Sequence, residues 1–205
     1  MPDRPSLRDR RRQETRSQIS WAAVQLTVRR GLRQVTIEDI AAEAGVSPRT
    51  VNNYFPGKAE AIVARHHDRV LGIAEKLRAR PADEPLWTAI TKAALTRFAE
   101  DLNGAPEWVP DPQWIEGTRL MLAEPALQGA FLKAYAATEA ALAEAVAERT
   151  GTDSSTDLYP VLVAIAAGGA IRATMQQWVR ADPPGLFSTL LREAFAAVAG
   201  GLAHP

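Results

Sequence analysis

Gly45 and Pro56 leave room between them for one short helix, and that bracket constrains the fold of this 205-residue chain more than any other feature. Ser47 is a good N-cap, and Pro48 suits the first helical position, where its missing N–H costs nothing. Pro56 then pushes Phe55 out of the α region, and Gly57 follows. Just upstream, Thr36 and Asp39 have capping-box spacing ahead of the apolar face Ile37, Ile40, Ala41 and Ala44. Gly45 closes that second helix as the residue that takes positive φ most cheaply. A first helix over 9–30, with Ile19, Ala22, Ala23 and Leu26 on one face, stops at Gly31. The order is helix, glycine turn, short helix, the helix-turn-helix plan in which the second helix enters the DNA major groove.

The rest of the chain reads the same way. Few stretches alternate with the period of a strand, and helices are predicted over 58–78, 85–102, 112–122, 124–149, 155–181 and 186–200 between Pro- and Gly-marked breaks. The expected fold is all-α. Residues 1–57 would form a basic arm and DNA-binding domain, 58–80 a connecting helix, and 81–205 a ligand-binding and dimerisation domain. No cysteine is present, so disulfides, thiol catalysis and cysteine-ligated zinc are excluded. No apolar run of the ~18 residues needed to span a bilayer is read, and the arginine-rich start lacks the apolar stretch of a secretory signal. The expected location is cytoplasmic, with no membrane partner.

Formal net charge is zero but unevenly spread: Met1 to Arg33 holds nine arginines against three acids, a net +6, which leaves −6 for the remainder. On charge alone this end fits either a polyanion-binding surface or a solvated tail. The bracketed helix adds chemistry. Val46, Val51 and Phe55 face the core on helical spacing, leaving Arg49, Thr50, Asn52 and Asn53 outward and Tyr54 at the end. Arginine can bridge guanine O6 and N7, asparagine can bridge adenine N6 and N7, and a threonine methyl can touch thymine.

The same residue types occur in surface loops, so the order of elements carries the discrimination. In that order, "ISWAAVQLTVRRGLRQVTIEDIAAEAGVSPRTVNNYFPGKAEAI", residues 19–62, resembles the TetR family of one-component transcriptional regulators. Its "RTVNNYFPGK" is similar to the mycofactocin-regulator-like subgroup, some members of which sense acyl-CoA-type ligands. The resemblance implies phosphate contacts from Thr36, Ser47, Tyr54 and Lys58, and base contacts from Arg49, Thr50, Asn52 and Asn53. Asn52 departs from the family's usual aromatic and Val51 from its larger apolar residue. Thr27 stands where a core phenylalanine is usual, and Trp21 where a polar residue is. The arm arginines Arg8, Arg10, Arg11 and Arg12 are expected to add general attraction to the DNA backbone.

No nucleophile–base spacing or phosphate-binding glycine loop appears beyond residue 80, so no enzyme, cofactor or metal is expected. His66 and His67 are neighbours about 100° apart on a helix and read as solvated. Trp87, Phe98, Trp114, Met121, Phe131 and Tyr135 are the candidate walls of a cavity, with Arg172 and Gln176 as polar ends and Trp108 nearby in sequence. Each is also a plausible core residue. The implied effector is a small amphipathic or aromatic/acyl molecule. Ala164, Gly168 and Gly169, with Phe187, Leu190, Leu191, Ala194, Phe195 and Val198, are the candidate homodimer interface, a four-helix bundle whose two-fold symmetry demands a palindromic double-stranded operator. The expected activity is that of a repressor released from its operator by this effector. The alternatives are an effector-free regulator, an activator, or a helical enzyme or interaction module with an architectural helix-turn-helix.

Overall fold

A computed structural model describes residues 6–101, 112–181 and 185–202; within them the side chains of Asp9, Arg10 and Asp101 fall outside the description. Trp108 and Arg10 therefore lie outside the described side chains. The described residues form nine α-helices: α1 (Leu7–Arg30), α2 (Ile37–Glu43), α3 (Pro48–Tyr54), α4 (Lys58–Arg78), α5 (Leu86–Asp101), α6 (Pro112–Ala123), α7 (Pro125–Thr150), α8 (Leu158–Trp178) and α9 (Phe187–Ala199), with a 3₁₀ turn at Leu32–Gln34. The caps act as read. Thr36 and Asp39 close a reciprocal capping box, the Ser47 side chain accepts from the Thr50 N–H, and Gly45 takes φ 66°.

By packing, the chain divides into two compact units. One gathers the chain up to Arg65 with Pro112–Phe131, and the other holds the chain from His66 through α5 and from Leu132 onward. The linear domain boundaries did not place α6 with the helix-turn-helix. A close approach accounts for it: a Cβ on Gly117 would lie 2.2 Å from the carbonyl oxygen of Val28, so α6 sits against the α1 backbone where only glycine fits. Trp114 of α6 packs on Trp21 of α1 with ring centroids 5.6 Å apart, and the Arg65 guanidinium lies 4.1 Å over the Trp21 ring. Thr27 is itself 2% exposed, and its hydroxyl has no hydrogen-bond partner among the described residues.

Ile19, Leu26, Ile40, Val51 and Phe55 form the buried centre of the first unit. Arg29 pairs with Glu43 at 2.7 Å and Arg30 with Asp39 at 3.6 Å, tying α1 to α2. In the second unit, Ile73, Leu77, Ile90, Leu142, Leu191 and Phe195 are buried completely or nearly so. Arg78 grips Glu148 through two bonds of 2.7 and 2.9 Å, and Arg149 donates to the carbonyls of Arg80, Pro81 and Glu84, closing the end of α4.

One expectation is corrected by α8. By length and composition this helix could cross a membrane, with mean hydropathy 1.5, although no such run was read from the sequence. Only 39% of its apolar window is buried, and Leu158, Leu162 and Ile165 form an exposed row at helical spacing. The interface expectation changes with it. Ala164, Phe187, Leu191 and Phe195 face the core of their own unit and are unavailable to a partner, whereas Gly168, Gly169, Leu190, Ala194 and Val198 are half-buried.

Candidate functional site

Two regions of the described residues gather polar groups around a groove or cavity. The first is the outer face of α3. Val51 and Phe55 are 0% and 2% exposed, anchoring the helix, while Arg49, Asn52 and Asn53 are exposed on its other side. The Arg16 guanidinium covers the Phe55 ring at 4.7 Å and so locks the end of α3 to α1. Along that junction runs an open groove of about 560 Å³ lined by Arg8, Arg11, Arg12, Thr15, Asn53 and Tyr54. The arm and the recognition helix therefore share one surface, with the arm's cations exposed. The groove suits a polyanion whose other edge is read by amide and guanidinium groups.

Two of the hydroxyls expected on phosphates, those of Thr36 and Ser47, already make hydrogen bonds within the fold. Thr36 Oγ1 donates to Asp39 Oδ2 at 2.8 Å, leaving no proton for a phosphate oxygen while the capping box holds. These bonds, the Thr36 N–H first, hold the Asp39 carboxyl below its ordinary range. Ser47 Oγ and Thr50 Oγ1 are 2.8 Å apart and share one proton, so the pair retains one donor for DNA. Lys58 Nζ donates to the carbonyls of Leu32 and Val35, at 2.8 Å each, which spends two of its three donors on the 3₁₀ turn.

The second place is a small cavity in the C-terminal unit, about 10 Å³, bounded by His66, Tyr135, Glu139, Gly168 and Arg172 among the apolar groups Val70, Leu142, Ala164 and Ile171, with Thr138. His66 meets the Tyr135 ring edge-on at 4.9 Å, and the Arg172 guanidinium lies 4.7 Å over that ring. Arg172 Nη1 donates to Glu139 Oε1 at 3.2 Å. Burial pushes the His66 imidazole down to about 3, with Arg69, Arg172 and His67 adding repulsion, so it is neutral at ordinary pH.

Of the walls expected from sequence, Tyr135 and Arg172 line this cavity and the others do not. In the second unit, Trp87 packs on Phe195 at 6.3 Å, Phe98 packs on Phe187 at 4.7 Å beneath Arg69, and Gln176 is exposed. In the first unit, Trp114 stacks on Trp21, Phe131 is 6% exposed and Met121 is half-buried. His66 and Glu139 were missed. For His66 the signal was present, since it falls between Ile62 and Val70 on the buried stripe of α4 that continues through Ile73 and Leu77. For Glu139 there was none, because its partner is 33 residues away.

Comparison with known proteins places both regions. Residues 19–64 match the family described as bacterial regulatory proteins, tetR family, and residues 84–203 match the MftR C-terminal domain. The HTH-type transcriptional regulator TcmR of Streptomyces glaucescens is 28% identical over 182 residues, 88% of this chain and 80% of that one. MftR of Mycobacterium tuberculosis is 29% identical over 197 residues, 94% of this chain and 93% of that one. The transcriptional regulator FadR of Bacillus subtilis, solved in complex with stearoyl-CoA, superposes with a TM-score of 0.57 at 20% identity, covering 90% of this chain and 98% of that one, a likeness of fold.

Proposed function

Because the chain belongs to the TetR family of transcriptional regulators, we propose that it is a homodimeric repressor that reads a palindromic operator through α3 and leaves it when a small effector occupies the C-terminal unit. The observation that carries the DNA half is the groove shared by Arg8, Arg11, Arg12, Asn53 and Tyr54, since it joins backbone-binding cations to a base-reading helix. Arg49, Asn52 and Asn53 read bases and Thr50 offers its methyl. Tyr54, one hydroxyl of the Ser47–Thr50 pair and the third donor of Lys58 set register on phosphates. Thr36 contributes through its cap. The exposed row Leu158, Leu162 and Ile165 on α8, beside Leu190, Ala194 and Val198 on α9, pairs with its symmetry mate to form the dimer.

The effector half rests on the polar cluster of Tyr135, Glu139, His66 and Arg172 set among apolar walls. The stearoyl-CoA held by the FadR relative indicates one amphipathic class, an acyl chain on a polar carrier. A ligand acts here only through its preference for the DNA-incompetent state, and each tenfold preference moves the equilibrium by about 1.4 kcal/mol. The cavity volume favours a second reading, an effector-free regulator, because about 10 Å³ holds a single water.

Selection of DNA from a random pool with the full chain tests the reading. A palindromic site is expected to emerge, and Arg49→Ala and Asn53→Ala are each expected to cost about 1–3 kcal/mol on that site and to relax its sequence at one position. Arg11→Ala and Arg12→Ala are expected instead to weaken binding to every sequence and to lower the salt slope by about one each. No enriched site, or unchanged readout in the Arg49 and Asn53 variants, would overturn sequence-specific recognition by α3.

A further inference from the structure

We infer that the N-terminal part of α1 is a rigid helical clamp, its face of Arg8, Arg11, Arg12 and Thr15 gripping successive phosphates of one DNA strand along the edge of the major groove that α3 enters. The inference rests on the DNA reading above and names how the arm engages that partner. α1 runs unbroken from Leu7 to Arg30, so the arm is not a separate tail but the opening turns of a helix whose later turns are buried in the unit. At about 100° per residue, positions 8, 11, 12 and 15 fall within an arc of roughly 100°. This is the face that lines the groove with Asn53 and Tyr54. Thr15 Oγ1 donates to the Arg11 carbonyl oxygen at 3.0 Å, a bond across the joint between arm and body. One turn on from Arg12, the Arg16 guanidinium lies over the Phe55 ring and fixes the same side of α1 against the end of α3.

The fold itself has no use for an arginine face here. Among the described residues none of α1 before Ile19 is buried, and Leu7 is 77% exposed, so this segment completes no core. Farther along α1, Arg29 and Arg30 pair with Glu43 and Asp39, whereas the guanidiniums of Arg8, Arg11 and Arg12 meet no acid among the described residues. Like charges three and four residues apart on a helix repel, and cations near a helix N-terminus oppose its dipole. Phosphates on this face relieve both, so binding firms the helix. Dimensions then choose the groove. A helix with its side chains is about 10–12 Å across and does not enter a minor groove about 6 Å wide. From Arg8 to Thr15 the helix rises about 10 Å, and one strand of B-DNA carries a phosphate about every 3.4 Å, so the face spans about three phosphates.

Salt titrations of the full chain on the selected DNA site test this. Gln13→Pro keeps every charge and breaks the helix at the joint: proline removes the backbone donor of position 13 and clashes one turn back, yet it suits the first position of the helix that continues from there. Gln13→Ala is the unbroken control. The variant Arg8→Ala/Arg11→Ala/Arg12→Ala is expected to flatten the salt slope by about three, and Gln13→Pro by at least about two of these, with Gln13→Ala unchanged. Melting temperature and the fluorescence of Trp21 and Trp114 check that Gln13→Pro keeps its folded body. Ethylation interference on the wild-type complex needs no variant, and about three successive phosphates on one strand of each half-site are expected to block binding when modified. An unchanged slope in a folded Gln13→Pro overturns the clamp and leaves a flexible basic tail. Interference on both strands across a minor groove overturns it as well. An unchanged slope in the triple arginine variant overturns the DNA reading of the groove together with the clamp.

Discussion

Lys58 is the side chain whose two possible tasks separate most cleanly. Its ammonium stands 2.8 Å from the carbonyl oxygens of both Leu32 and Val35, residues only 8% and 1% exposed, so it closes the turn between α1 and α2. Replacing it by methionine keeps the stem and removes the cation. Hydrogen bonds to charged groups contribute about 1.5–3 kcal/mol each, and because Lys58 is half-buried, water recovers part of that, leaving an expected loss of about 2–4 kcal/mol for the pair. For a chain of this size that loss lowers the melting temperature by roughly 5–15 °C. Thermal unfolding of Lys58→Met, followed by circular dichroism, reads this directly. A salt titration of DNA binding then asks whether the third donor also holds a phosphate, in which case the slope falls by about one. If Lys58→Met melts like the wild type while losing DNA affinity, the two carbonyl bonds carry no weight, and the reasoning from their geometry is refuted.

His66 and Gly117 supply the other tests. The imidazole pKa is depressed from 6.5 to about 3 in the fold, so the unfolded chain binds the extra proton between those values and stability falls as pH drops through that window. Between about pH 6.5 and 4.5, above the range where the paired carboxylates respond, the slope is at most about 1.4 kcal/mol per pH unit. Urea midpoints at pH 7 and pH 5 should differ in the wild type and converge in His66→Gln; an equal gap in both would assign the loss elsewhere. Gly117→Ala places a carbon 2.2 Å from the Val28 oxygen, and such overpacking costs about 1–3 kcal/mol, more than the roughly 1 kcal/mol of helix propensity that alanine adds. Scanning calorimetry should show a lower melting temperature, and a rise would mean that α6 does not dock closely on α1.

What could be read from the chain alone were features settled within a few residues of themselves. Thr36 with Asp39, Ser47 with Pro48, the φ of Gly45 and the break at Pro56 each involve neighbours no more than four positions apart, so α2 and α3 were legible to within a residue. The outward side of α3 followed, because Val51 and Phe55 claim the inward one. Tertiary packing decided the rest. Whether Trp114 walls a cavity or stacks on Trp21 depends on where α6 lies, which Gly117 permits and Val28 receives. Whether Lys58 meets a phosphate or two carbonyls depends on a turn more than twenty residues upstream. His66 and Arg172 have ordinary helical neighbours in sequence, and only the crossing of α4, α7 and α8 sets them around Tyr135 and Glu139. Caps and turns are encoded by bonds between near neighbours, whereas the partner of an apolar or charged face is chosen by helix crossings that no local pattern contains.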